Sequence, residues 1–233
     1  MITASNFKNT LATLGFTETG NVYEKKFRSL GVSLSVNFDT KKLIFPTEIK
    51  GRERNAGFDA PENFVVFECV NRLLEKGYRP EHIELEKEWH LGHDAKSGRA
   101  DICVSNSDGS MLFIIECKTW GKEFDKALRD TLNDGAQLFS YWQQEQSTKW
   151  LVLYASDFVN GKIEHKSPTI NCSDDANIAL LAKKDKTIKL FVYAHTSPEK
   201  YAVWKETYLS QIHDDLIFSD DSVAYKIGVK PLY

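Results

Sequence analysis

Two apolar runs constrain this chain of 233 residues more than anything else in it. RADICVS, 99–105, and MLFIIECKT, 111–119, flank the polar stretch NSDGS. Both have the β-branched and aromatic content of strands, and a turn joins them. Yet Asp101 interrupts the first run, and Glu116 and Lys118 interrupt the second. Charged side chains in a core cost several kcal/mol unless they are paired or bind a metal. Any fold that buries this hairpin has to give these three groups something to do.

Alternate residues of a strand share a face. Glu116 and Lys118 therefore point one way, and Ile115 and Cys117 the other. Asp-Gly is among the best two-residue hairpin turns. With Asp108 and Gly109 in that turn, Ser107 faces Ser110, and Asp101 falls opposite Glu116, their Cβ atoms about 4.5–5.5 Å apart. Two carboxylates so placed repel, and a divalent cation reverses the sign. Mg²⁺ takes oxygen ligands at roughly 2.0–2.1 Å, commonly one or two carboxylates plus water and phosphate. Asp101 and Glu116 are the candidate ligands, with the Cys117 backbone carbonyl as a third oxygen. Lys118, one pleat away, is placed to hold or activate a water, or to balance charge on a phosphate. The competing reading is a cross-strand ion pair at a wet strand end, with no chemistry.

The rest of the chain supplies a frame for such a hairpin. Residues 5–15 carry Phe7, Leu11 and Leu14 at helical spacing. VSLSVNF, 32–38, alternates; DTKK turns; LIF follows as a second strand of a hairpin with one wet face. GRERNAG, 51–57, is a polar loop. PENFVVFECVNRLLEKGY, 61–78, is an amphipathic helix with Pro61 in its first turn and Gly77 at its end. HIELEKEWHLG, 82–92, reads as a strand and DAKSG, 94–98, as a loop. Residues 123–146 are expected to form one long helix with Phe124, Leu128, Leu132, Leu138 and Phe139 inward. KWLVLYAS, 149–156, is nearly all apolar and so a central strand. ALLA and LFVYAH follow, separated by the solvated run KKDK, and 197–213 looks helical. The order helix, three strands, helix, strand is that of an α/β domain, a mixed central sheet flanked by helices. The expected organisation is an N-terminal helix and hairpin over 1–57, a core over 58–160 and a C-terminal extension over 161–233 packing on that core.

Bulk properties narrow the function classes. No apolar run reaches the ~18 residues of a membrane span, and MITASNFKNTLATLGF lacks the basic start and continuous apolar stretch of a secretory signal. Cys69, Cys103, Cys117 and Cys172 are scattered without a CxxC pair, which argues against zinc or a disulfide framework and fits a reducing cytoplasm. His90 and His93 are three apart, but no cysteine or third histidine stands near them to complete a metal site. The net charge is -3. Proteins that grip nucleic acid by charge alone are usually basic, so contact with DNA, if made, is local or shared with another domain.

GRADI, a hairpin and IIECK together resemble the PD-(D/E)xK nuclease superfamily. The resemblance implies a restriction-endonuclease-like core of helix, three antiparallel strands, helix and strand, which residues 61–156 follow in order. The family aspartate matches Asp101, and its acid-x-lysine matches Glu116 and Lys118. Ala100 stands where the family often has proline, a mild departure. QLFSY, 137–141, fits the Q-x-x-x-Y motif of certain branches, including the nuclease domains of type I restriction enzymes. There such residues line the active site and orient the lysine or the DNA backbone, which points to Gln137 and Tyr141. They lie four apart, on one helical face; the alternative is two ordinary helix residues. The family often adds an acid from the first helix. Glu62, in line with Val65, Val66 and Cys69, is chosen over Glu68, with Glu88 a weaker candidate. Asp59 and Glu62 also fit a capping box.

The resemblance implies a metal-dependent DNA endonuclease of a type I-like restriction-modification system. Its cofactor is Mg²⁺, with Mn²⁺ as substitute, held by Asp101, Glu116, the Cys117 carbonyl and Glu62. It acts on double-stranded DNA, with Lys96, Arg99 and Lys122 near the backbone. Further domains or subunits for recognition, methylation and translocation are expected, since no P-loop occurs here, and the chain is expected to be the N-terminal piece of something longer. Two readings compete: a catalytically silent DNA-binding or assembly module with a nuclease-like fold, and a junction resolvase or exonuclease of the same superfamily.

Overall fold

The structure, a computed structural model, is described for residues 1–89, 98–172 and 197–218. His90, His93, Lys96, most of the DAKSG loop, ALLA, KKDK, LFVYAH and the terminal DDSVAYKIGVKPLY lie outside the described residues.

The first 57 residues form a small layer of their own. Helix α1 (Phe7–Thr13) precedes four antiparallel strands in sequential order, β1 (Thr17–Thr19), β2 (Val22–Phe27), β3 (Val32–Asn37) and β4 (Lys42–Ile44). The β3–β4 hairpin is the one the alternation predicts. The β1–β2 pair is not foreseen, for a physical reason. In β2 only Tyr23 and Phe27 are buried, and a spacing of four suits a helix as well as a strand. This layer shares its core with helix α2 (Pro61–Glu75): the Phe7 ring lies 4.6 Å from Phe64 and 5.9 Å from Phe67.

The main sheet has the order β11-β10-β8-β7-β6-β5, with β9 paired to β8 outside that path. Its strands are β5 (Ile83–Glu88), β6 (Arg99–Ser105), β7 (Met111–Cys117), β8 (Trp150–Val159), β9 (Lys162–Lys166), β10 (Pro168–Asn171) and β11 (Ile212–Asp214). β5, β6 and β7 pair antiparallel, whereas β8 runs parallel to β7. A parallel neighbour needs a crossover connection, and helices supply it. The result is a mixed α/β fold, with β8 central as its apolar sequence requires. Ile102, Val104, Ile115 and Val152 turn to the α2 side, and Cys103, Ile114 and Leu151 to the other.

The crossover is two helices rather than one, α3 (Lys122–Asp134) and α4 (Ala136–Gln144). Gly135 breaks them with φ +82°, and a Cβ there would stand 2.4 Å from that of Phe139. Each helix then turns its own face to the sheet. Phe124, Leu138 and Phe139 are buried as predicted, but Leu132 is 47% exposed, a correction to its expected inward position. The helix expected over 197–213 ends early. Helix α5 (Ser197–Thr207) gives way to a 3-10 turn and then to β11, which pairs with β10. No described helix is long and apolar enough to cross a membrane. All four cysteines are buried and free of disulfides.

The polar loop 51–57 is bound to the sheet edge. Lys50 N–H donates to the Ile83 carbonyl and Leu85 N–H to the Lys50 carbonyl. Gly51, at φ +69°, lets the loop approach so closely that a Cβ would lie 2.1 Å from the Leu85 oxygen. An edge strand left open invites pairing with other chains, and this loop covers it.

Candidate active site

The turn between β6 and β7 holds three residues, not two. Asn106 N–H donates to the Ser110 carbonyl at 2.8 Å, Gly109 N–H donates to Asn106 at 3.0 Å, and Gly109 has φ +83°. This is a type I turn closed by a left-handed residue. Asn106, not Ser107, therefore faces Ser110, and the register starts one residue off the expected one. An irregularity at Val104 and Ser105 takes the offset back: Ser105 pairs with Met111, Val104 with Phe113, and Leu112 is the extra residue. Beyond it Ile102 pairs with Ile115. Asp101 and Glu116 are the next residues outward, so the expected juxtaposition arises by a different route.

The strands separate there. The β6–β7 pairing ends at Ile102 and Ile115, and the Asp101 carboxylate takes over from the backbone, accepting the Cys117 N–H at 2.7 Å. On its other side β7 stays paired to β8, as Lys118 N–H donates to the Tyr154 carbonyl at 2.8 Å. The charged residues sit at this divergence. Glu116 is buried; Lys118 Nζ donates to its Oε1 at 2.5 Å and the Tyr141 hydroxyl to its Oε2 at 2.7 Å. Lys118 Nζ also reaches Glu62 Oε1 at 3.3 Å. Gln137 Nε2 lies 3.5 Å from the Tyr141 hydroxyl, and Trp89 stacks on the Tyr141 ring with centroids 5.7 Å apart. An open cleft of about 450 Å³ runs from Glu116 and Lys118 past Lys126, Gln137 and Leu153.

Hydrogen bonds thus link Glu62, Lys118, Glu116, Tyr141 and Gln137, and Asp101 holds the backbone of Cys117 between Glu116 and Lys118. Tyr141 and Gln137 come together because α4 presents both from one face. Glu62 does not close a capping box: Ala60 is the N-cap without a side-chain cap, and Asp59 instead accepts from Asn63 Nδ2 at 3.2 Å. Glu68 is fully buried elsewhere, bonded to Arg72 and Tyr154. Glu88 is 34% exposed and pairs with Arg54 at 2.6 Å. Sequence reasoning missed Trp89 as a support for Tyr141 and the Arg99 carbonyl, which lies 2.6 Å from the Tyr141 hydroxyl. An aromatic at a strand end carries no local signal for such a role, and a backbone carbonyl carries none at all.

Burial raises the Asp101 carboxyl well above its ordinary range. Glu116 and Glu62 push the same way, against Lys118 and the Cys117 N–H. Burial also raises Glu116, opposed by Lys118 and Tyr141. Burial works against the Lys118 charge, but Glu116, Glu62 and Asp101 together hold the ammonium above its usual range. Tyr141 is raised by burial and by Glu116, so it stays a neutral hydroxyl. Among the described residues no group of three or more His, Cys, Asp or Glu side chains is gathered to hold a metal ion. Two converging carboxylates still fit a hard cation that keeps water and phosphate in its other positions.

A pH dependence follows with a definite sign. The folded carboxyls are raised, so their contribution to stability is present below the unfolded values and is lost as pH rises through the folded ones. A cation held there would need the deprotonated pair, so it would compete with protons. The rise in melting temperature on adding Mn²⁺ is therefore expected to grow as pH rises through the raised carboxyl range. In Glu116→Gln that growth should flatten. A Mn²⁺ effect in the wild type that does not change with pH would contradict the assignment.

Residues 61–157 match the family model described as the N terminus of the type I restriction enzyme R protein. The match covers under half the chain and includes α2, the β5–β8 strands and both crossover helices. No curated protein matches the sequence.

Proposed function

We propose that this chain is the nuclease domain of a type I-like restriction enzyme, a PD-(D/E)xK hydrolase that cuts phosphodiester bonds of double-stranded DNA with Mg²⁺. One observation carries the reading: Asp101, Glu116 and Lys118 converge where β6 and β7 separate, within the segment that is similar to the R-protein N terminus. A scaffold has no use for two raised carboxyls and a partly buried ammonium at the mouth of a cleft.

Asp101 and Glu116 are the residues that would hold the cation, with the Cys117 carbonyl and Glu62 beside them. When bound, Mg²⁺ or Mn²⁺ supplies Lewis acidity and a water of lowered pKa. Lys118 orients that water or balances charge developing on phosphorus. Tyr141 fixes the second Glu116 oxygen, and Gln137 buttresses Tyr141. Recognition of a sequence, methylation and translocation belong to other domains or subunits, and the setting is the cytoplasm.

The test is incubation of supercoiled plasmid with the chain. Nicked or linear product should appear with Mg²⁺ or Mn²⁺ and disappear with chelator. Intact plasmid with every divalent cation tried would favour the silent binding module. Degradation of linear DNA that spares closed circles would point to an exonuclease.

A further inference from the structure

The β5–β6 pairing has one missing rung. Leu85 pairs with Ile102 and Lys87 with Ala100, but Glu86, which falls opposite Asp101, pairs with nothing. Glu86 adopts φ +54° inside a strand, the left-handed region that a residue with a long side chain rarely enters. Such a conformation persists only when its surroundings impose it. The surroundings here are specific. Asn55 Nδ2 donates to Glu86 Oε1 at 2.8 Å, and Arg54 donates to the Glu86 carbonyl at 3.1 Å. The other carboxylate oxygen forms an ion pair with Arg99 Nε. The Glu86 side chain is 4% exposed while that of Arg99 is 58% exposed.

Arg99 is thus held from behind. Its Nε is ion-paired with a buried carboxylate, a contact without hydrogen-bond geometry, while more than half of its side chain is exposed. It stands two residues before Asp101 on the same strand, hence on the same face about 7 Å away. Its carbonyl meets the Tyr141 hydroxyl that secures Glu116. A guanidinium with its outer fork presented to solvent suits a phosphate oxygen pair. An exposed arginine for solubility alone would not need a strained, buried partner.

We infer that Arg99 is a phosphodiester-binding residue beside the candidate active site, and that Glu86 is the positioning residue that aims it. The inference rests on the nuclease reading and assigns the contact to a backbone phosphate of the DNA strand next to the one at Asp101 and Glu116. Asn55 and Arg54 extend the device into the N-terminal layer, which gives loop 51–57 a part in setting the fork.

The test is binding of a fluorescent 30-base-pair duplex to the chain in Ca²⁺, read by anisotropy across a salt series. Arg99→Gln should weaken binding about tenfold and reduce the slope of log K against log salt by about one. Arg99→Lys should keep the slope but recover only part of the affinity. Because Arg99→Gln strands a buried carboxylate, Glu86→Gln with Arg99→Gln gives a version without that burden, and it should show the same reduced slope. Arg28→Gln, on the β2–β3 turn of the other sheet, should leave affinity near the wild-type value. Glu86→Gln alone should lower affinity although it removes a negative charge; tighter binding would overturn the positioning role. A wild-type slope in both proteins that carry Arg99→Gln, or no binding by the wild type, would overturn the phosphate site. Plasmid cleavage reports the nuclease reading separately: salt-sensitive binding through Arg99 without any cutting keeps the phosphate site and removes the catalysis.

Discussion

Lys118→Ala is expected to lower metal-dependent DNA cleavage by about 10²–10³-fold with little change in melting temperature at neutral pH. The ammonium is the group that joins the acids: it touches both Glu116 and Glu62. Its removal takes away charge compensation where a phosphate would acquire negative charge. The fold tolerates the loss because Glu116 is already raised by burial. Without Lys118 it takes up a proton, which is how a buried carboxylate escapes the cost of an unpaired charge. The neutral carboxyl keeps Tyr141 as a partner. Lys118→Arg should not rescue activity, since a planar fork does not replace a compact ammonium at a 2.5 Å contact. Cleavage rates and thermal melts of the two variants check this together. A large fall in stability with Lys118→Ala would make the cluster a structural ion pair.

Arg72→Ala should have the opposite signature, a loss of about 3–5 kcal/mol in stability. For a chain of this size that is a fall in melting temperature of roughly 6–20 °C. Glu68 lies fully buried under the sheet. Arg72 donates to its Oε1 at 2.7 Å, Tyr154 donates to its Oε2 at 2.5 Å, and Arg72 Nε donates to the Tyr154 hydroxyl at 3.0 Å. The three groups satisfy one another and fasten α2 to β8. Deleting Arg72 leaves a buried acid with one neutral partner. Replacing both ends by apolar residues, Glu68→Leu with Arg72→Met, should recover much of the loss, because such a pair repays little more than its desolvation. Calorimetric melts of the single and double variants distinguish the cases. An Arg72→Ala melt within two degrees of wild type would show that the network carries no weight. Helix α2 thus bears two acids with different tasks, Glu68 for the fold and Glu62 beside Lys118.

Helical spacing assigns Glu62 and Glu68 to different faces, but it reads the Glu62 face as the inward one, whereas Glu68 is the fully buried acid and the Glu62 side chain is 40% exposed. The hairpin was legible only in outcome. Alternation fixes which residues share a face, so any register shift by an even number keeps Asp101 and Glu116 together. It does not reveal that a three-residue turn and an extra Leu112 cancel. The break at Gly135 was open to view as a glycine within a helical pattern, but the run of apolar residues on both sides hid it. Glu86 was illegible: IELEKE alternates cleanly, and nothing local announces a left-handed residue in mid-strand. The contacts that impose it come from Asn55 and Arg99, distant in sequence. Local pattern thus located the candidate chemistry, while the supports that hold it come from residues brought in by tertiary packing.

The most direct measurement is calorimetric titration of the wild-type chain and of Glu116→Gln with Mn²⁺, run beside plasmid nicking. The nuclease account predicts binding to the wild type, none to the variant, and nicking that requires the metal. Equal binding by both proteins, or binding by neither, would contradict it and leave the three charges as an ion-paired cluster at the end of a sheet.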